Sequence, residues 1–260
     1  SWFCLPLCAQ LPYFSRLYGW LQKRAFTQKK IAPFIRAYNV DESEFLHSDF
    51  KSFNDFFTRR LNPRCRPFDL DPLKFVMPAD GRYLVYPISQ QFTVKGQTFS
   101  LSEFLGSKSL GNRYMEGSMA IVRLCPSDYH RFHFPCDAIP SDPRLINGPL
   151  YSVNPVALQS RLRILSENKR VVTELRTDHF GTVQYVEIGA TNVGSIRQTF
   201  TLHQKVKKGD EKGYFEFGGS CIVLLFENRR IQFDADLIKN TEQGFETRAN
   251  FGQSLGCAID

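Results

Sequence analysis

At 260 residues with 42% hydrophobic content, the chain is able to bury a substantial core; it is long for one domain and ordinary for a β-rich one with a helical extension. Seven cysteines, an odd number without a Cys-x-x-Cys pair, outline neither a disulfide framework nor a zinc finger, and they point to a reducing compartment. The net charge of +7 favours an anionic partner, and the lack of a nucleic-acid signature turns that expectation toward anionic lipid headgroups.

Residues 1–24 mix aromatic and aliphatic side chains with late positive charge. Pro6 and Pro12 break this stretch too often for a transmembrane helix. Phe14, Leu17, Tyr18 and Leu21 recur at helical spacing, with Arg16, Lys23 and Arg24 placed to reach headgroups. An interfacial helix and a helix packed on the protein's own core or on a partner subunit both fit that pattern. The proline breaks and the absence of a basic start argue against a signal peptide, and the missing initiator methionine is expected of a chain trimmed at its N-terminus.

From Thr27 to Arg60 the chain reads as helical, with a capping box expected over Asp41–Glu44 and a helix start at Ser52 with Asp55. After Pro63 the character changes. Arg82–Ile88, Met119–Leu124, Val171–Arg176, Thr182–Ile188 and Cys221–Phe226 are short, β-branched runs bounded by Gly, Asn, Asp or Pro. Helices followed by strands without a βαβ alternation predict an α+β protein, N-terminal helices leading into a predominantly antiparallel β-sheet core. The boundary is set at residue 62, with a helical membrane-associating leader over 1–62 and a β-rich core over 63–260.

The segment Lys208–Phe226 is the most informative, because Gly218 and Gly219 deliver Ser220 to the start of an apolar strand. A serine hydroxyl there is placed to attack the Gly219 carbonyl. The attack turns peptide into ester, β-elimination cuts the chain, and loss of ammonia leaves a ketone. Gly-Gly-Ser by itself is ordinarily a hairpin turn. Its company matters: Met77–Arg82 supplies Asp80, and Arg123–Pro135 supplies His130 and His133. Taken alone, Asp80 also suits a tight turn, His133 a hydrogen-bonded core histidine, and His130 a strand or loop histidine on a backbone carbonyl. Cys221 reads as a small buried strand residue.

Ser52–Arg60, Pro78–Gly81, Asp128–His133, Val186–Ala190 and Phe217–Ser220 together make the sequence resemble the phosphatidylserine decarboxylases, from about Phe50 to the C-terminus. The departure is Gly-Gly-Ser-Cys where many members carry Leu-Gly-Ser-Thr; the Gly–Ser bond itself is kept. The resemblance implies decarboxylation of phosphatidylserine to phosphatidylethanolamine and self-cleavage between Gly219 and Ser220 into a large and a small subunit. It also implies conversion of Ser220 to a covalent pyruvoyl group that takes the substrate amine as a Schiff base, the electron sink that pyridoxal phosphate supplies elsewhere. In that scheme Asp80, His133 and Ser220 form the cleavage triad, with His133 as base and Asp80 as its orienting partner, and His130 donates the proton after decarboxylation. An imidazole titrating near neutrality suits that donation. Peripheral attachment to the cytoplasmic face of a bacterial inner membrane and a homodimer of cleaved subunits are implied as well.

Three other readings stand beside this one. A soluble pyruvoyl-dependent amino-acid decarboxylase shares the chemistry without a hydrophobic leader. A zinc hydrolase would use Asp80, His130 and His133 as ligands, and leaves the Gly–Ser junction unexplained. A non-catalytic membrane-binding protein would not cut itself. Tyr129 and Arg131 flank the histidines as either substrate contacts or ordinary surface residues. Lys205, Lys207 and Lys208 read as a solvated basic hairpin. His47, His179 and His203 carry no motif.

Overall fold

In the computed structural model, residues 19–88, 93–94, 97–98, 100–154, 157–158, 161–190 and 196–259 are described. The leader residues Phe14, Arg16, Leu17 and Tyr18 therefore lie outside the described residues. The strands are β1 (Lys74–Val76), β2 (Gly81–Pro87), β3 (Thr93–Val94), β4 (Gln97–Thr98), β5 (Ser118–Leu124), β6 (Arg131–His133), β7 (Ile139–Pro140) and β8 (Arg144–Ile146). They continue as β9 (Arg170–Arg176), β10 (Thr182–Gly189), β11 (Ile196–Gln198), β12 (Glu211–Phe215), β13 (Ser220–Phe226), β14 (Ile231–Phe233), β15 (Thr247–Ala249) and β16 (Ser254–Ala258).

The main sheet runs β15-β2-β5-β13-β10-β9-β7, with β8 also on β9, and each of its pairings is antiparallel. Two smaller sheets, β1-β16-β14 and β11-β12-β6, contribute to its cover. This is the α+β architecture expected from the sequence. Strand β13 is buried along its whole length, which explains its unbroken apolar run. Ile222, Leu224 and Phe226 belong to one core with Phe75, Phe132, Phe134, Phe215 and Leu255. Cys221, Val223 and Leu225 belong to the other, with Leu101, Phe104, Ile164 and Leu165. Side chains alternate between the faces of a strand, so Ser220 shares the face of Ile222, the one covered by the sheet that carries β6 and β12.

The helical stretch is more broken than the sequence implies. A 3-10 turn over Ala25–Lys30 leads into α1 (Ile31–Tyr38), which ends at Asn39 with φ 50°, and a second 3-10 turn covers Glu42–Glu44. Asn39 supplies the left-handed cap that stops α1, since asparagine tolerates that region better than most residues. Asp41 caps by accepting from the Ser43 N–H, one residue short of the predicted box. Helix α2 (Phe53–Phe57) starts as expected, with the Ser52 hydroxyl accepting from the Asp55 N–H at 3.2 Å. Phe50, Phe53 and Phe56 form a third cluster with Phe34, Phe45 and Phe217 packed against it. Edge-to-face contacts of Phe217 with Phe53 at 5.1 Å and Phe57 at 5.0 Å dock α2 beside the glycine–serine junction.

Candidate active site

Ser220 opposes Leu124 of β5 on one side and Gly189 of β10 on the other. The segment Met77–Gly81 reaches the same end of the sheet, because Arg82 opposes Arg123 and Gly81 opposes Ala249. Asp80 thus precedes a strand two places from β13, a separation of about 10 Å. Gly218 has φ 142°, a value that favours glycine and turns the chain into β13. At Gly219 an added Cβ would meet only Ala190 Cβ at 3.5 Å and Val153 Cγ2 at 3.7 Å, ordinary contacts with small side chains. Backbone conformation therefore requires glycine at 218, and space does not require it at 219. The Ser220 side chain is fully buried and its Oγ has no hydrogen-bond partner among the described residues. An orphaned buried hydroxyl costs stability, which makes this serine a candidate for chemistry.

His133 sits at the end of β6, 8% exposed. Its Nδ1 lies 3.0 Å from the Gly209 carbonyl and its Nε2 3.2 Å from the Tyr129 hydroxyl. A carbonyl only accepts, so Nδ1 carries the proton and Nε2 accepts from Tyr129. Burial pushes the imidazole down to about 4, and the Gly209 carbonyl pulls it partly back. Asp80 is engaged elsewhere. Its carboxylate accepts from Arg66 Nε at 3.0 Å, Arg66 Nη2 at 2.6 Å and the Phe251 N–H at 2.8 Å. Among the described residues no hydrogen bond or ion pair joins Asp80 to His133.

His130 is fully buried, with Nδ1 donating to the Asp128 carbonyl at 2.9 Å and Nε2 without a partner among the described residues. The Phe57 ring lies on the imidazole with 3.9 Å between centroids. Burial pushes His130 down to about 3, with the Arg59 charge adding to the effect. It is therefore neutral at neutral pH rather than titrating there, and Nε2 is its open lone pair. The Phe215 N–H donates to the His130 carbonyl at 3.0 Å, and Phe57 touches both His130 and Phe217. His130 and the segment that ends in Ser220 are thereby brought together. Arg59, buried and lowered to about 10 by desolvation, donates to the Ser127 carbonyl at 3.0 Å and the Asp128 carbonyl at 3.4 Å, fixing the turn before His130.

Tyr129, set beside the histidines by the sequence without a role, is buried and bonded to His133. Arg131 is committed to the Thr58 carbonyl and to Glu211. Lys208 corrects the expectation of a solvated hairpin: it is 8% exposed, and its ammonium donates to the carbonyls of Asp69 at 3.0 Å and Asp71 at 2.5 Å. Arg59 lies within the resembling Ser52–Arg60 segment, whereas Arg66 and Phe251 stand in no motif. A cavity of about 260 Å³, lined in part by Arg59, Asp80, Tyr129 and Arg248, adjoins the site. No group of three His, Cys, Asp or Glu side chains among the described residues converges as a metal site. Cys65, Cys125, Cys136, Cys221 and Cys257 are free thiols, Cys221 buried as expected.

Fold and candidate site together describe a β-rich α+β protein with a buried serine at the head of an interior strand. The family model described as phosphatidylserine decarboxylase matches residues 53–257. A Chlamydia pneumoniae protein named phosphatidylserine decarboxylase proenzyme is 52% identical over 250 residues, 94% of this chain and 83% of its own length. A Chlamydia caviae protein of the same name is 52% identical over 258 residues, covering 97% of this chain and 86% of its own. One from Chlamydia trachomatis serovar L2, also so named, is 50% identical over 248 residues, 94% and 82% of the two chains. The chain belongs to the phosphatidylserine decarboxylase family.

Proposed function

We propose that this chain is the proenzyme of a phosphatidylserine decarboxylase and cuts itself between Gly219 and Ser220. The observation that carries this reading is the fully buried Ser220 hydroxyl, without a partner among the described residues, immediately after the Gly219 carbonyl. Ser220 Oγ adds to that carbonyl while His133 takes its proton on Nε2, once that nitrogen has released the Tyr129 hydroxyl, and the acyl group moves from nitrogen to oxygen. Elimination breaks the ester, sending the carboxylate to Gly219. One water then replaces the nitrogen of the new terminus, and ammonia leaves.

Residues 220–260 then begin with a pyruvoyl group, whose ketone takes the substrate amine and accepts the electron pair released with carbon dioxide. The space of Ser220 fits a group of that size, since a pyruvoyl group there would replace a fully buried side chain of nearly the same bulk whose Oγ has no hydrogen-bond partner among the described residues. His130 returns the proton to the substrate α-carbon from Nε2, the nitrogen that its Asp128 bond leaves open. Burial holds this imidazole neutral at rest, and the negative charge of a bound headgroup favours its protonation for the donating step.

A lipid surface as the meeting place is supported by Trp20, Phe26, Tyr38 and Leu46, each at least half exposed, alongside Arg24, Lys29, Lys30 and Arg36. No helix among the described residues is long and apolar enough to cross a membrane.

Intact mass measurement of freshly made protein tests the proposal. Two fragments are expected, the smaller lighter by one ammonia than a chain running from Ser220 to Asp260 with a serine start. Ser220→Ala should remain one inactive chain; full activity from a continuous polypeptide would refute the scheme.

A further inference from the structure

The base assigned to Ser220 has no free nitrogen through which Asp80 acts on it directly. Gly209 holds Nδ1 of His133 and Tyr129 holds Nε2. The remaining approach is to the ring face, and Phe251 occupies one: its ring stacks on the imidazole at 3.9 Å with 10° between planes. Asp80 holds that same residue by its backbone, Oδ1 accepting the Phe251 N–H at 2.8 Å. Arg66 in turn fixes the Asp80 carboxylate through two nitrogens and is itself braced by Glu44, with Nη1 2.8 Å from Oε1. A continuous chain of contacts, Glu44–Arg66–Asp80–Phe251–His133, thus runs from the helical segment to the imidazole.

We propose that Phe251 is the positioning residue through which Asp80 acts on His133 in self-cleavage. This rests on the reading of His133 as the base. Phe251 lies C-terminal to the cut, so the fragment created by cleavage carries the support for a histidine in the other fragment. The charged and titratable groups acting on His133 are Glu211, Asp80, Arg131 and the hydrogen-bonded Tyr129. The first two favour its protonation and Arg131 opposes it. The apolar cover that includes Phe251 keeps it neutral and ready to accept a proton well below neutral pH. Without the ring, water reaches the imidazole and it protonates at higher pH.

The test follows cutting of newly translated full-length chain between pH 5.5 and 8 for Phe251→Leu, Phe251→Tyr, Asp80→Asn and their combination. Phe251→Leu should cut about tenfold more slowly at pH 5.5 than the parent, with a smaller loss at pH 8, as the acid limb climbs from about 4 to near the ordinary 6.5 of a wetted imidazole. Phe251→Tyr, which restores the ring, should cut at close to the parent rate. The Phe251→Leu, Asp80→Asn double variant should be no slower than the slower single, since both lie on one path. Normal cutting by Phe251→Leu, or a loss uniform across pH that Tyr does not rescue, overturns the proposal. Full additivity in the double variant does the same, by showing that Asp80 reaches the base independently. His133→Ala separates the two levels: if it cuts normally the assignment of the base fails, whatever Phe251 does.

Discussion

His130 and His133 stand three residues apart in environments that suit different tasks. His133 has both nitrogens occupied and a stacked ring, the setting of a group held in one orientation. His130 is fully buried under Phe57, with Nε2 unpartnered among the described residues. His133→Ala is therefore expected to leave the precursor uncut, whereas His130→Ala should still cut and lose decarboxylase turnover by about a hundredfold or more. Gel analysis of processing alongside carbon dioxide release checks both, and the opposite pattern would exchange the two roles. The same histidines tie stability to pH. Their folded values of about 3 and about 4 lie below the ordinary 6.5, so the unfolded chain binds protons first on acidification. Their contribution is complete above pH 6.5 and drains as pH falls toward 4, by several kcal/mol in total. Urea unfolding of the uncut Ser220→Ala chain at pH 7.5 and pH 5 should show a lower midpoint at pH 5, and equal midpoints would contradict these values. Asp80, His130, His133 and Ser220 could be singled out as candidates because each stands in a motif with chemical content. Tyr129 was visible without a role, and Phe251 was invisible, because ring stacking between distant segments leaves no local spacing to read.

At the scale of elements, the interior strands were legible and the helices only in part. Cys221–Phe226 is apolar on both faces because both are buried, and Thr182–Ile188 is buried along its length with Gln184 and Glu187 among its apolar residues; short length and β-branched content signal strand in both. The capping box expected over Asp41–Glu44 implies an interruption after Tyr38, and Asn39 supplies it, one left-handed residue that ends the helix. How the smaller sheet docks on the larger was not legible either. Part of that docking is polar: the Lys212 ammonium, fully buried, bonds Glu187, Thr173 Oγ1 at 3.0 Å and Gln198 Oε1 at 2.8 Å, with the Tyr185 ring 4.8 Å away. This pair links β12, partner of the histidine strand β6, to β10, partner of the serine strand β13. Lys212→Met alone should cost about 3–5 kcal/mol by stranding the Glu187 charge. Adding Glu187→Leu should recover most of that loss, and denaturant titration of the three variants in the uncut Ser220→Ala background measures it. An equal loss in the single and double variants would mean that packing, not the stranded charge, sets the cost.

For the whole molecule, the bond expected to break lies at the entrance to β13, in the interior of the main sheet, with β5 on one side and β10 on the other. Residues after it also furnish β15 at one edge of that sheet, and both β14 and β16 of the three-stranded β1-β16-β14 sheet. The piece from 220 onward is thus woven between strands of the piece before it rather than resting on its surface. Scission there resembles snipping one thread of a finished fabric: the two lengths keep their places, dilution does not part them, and they are expected to come undone together when heated.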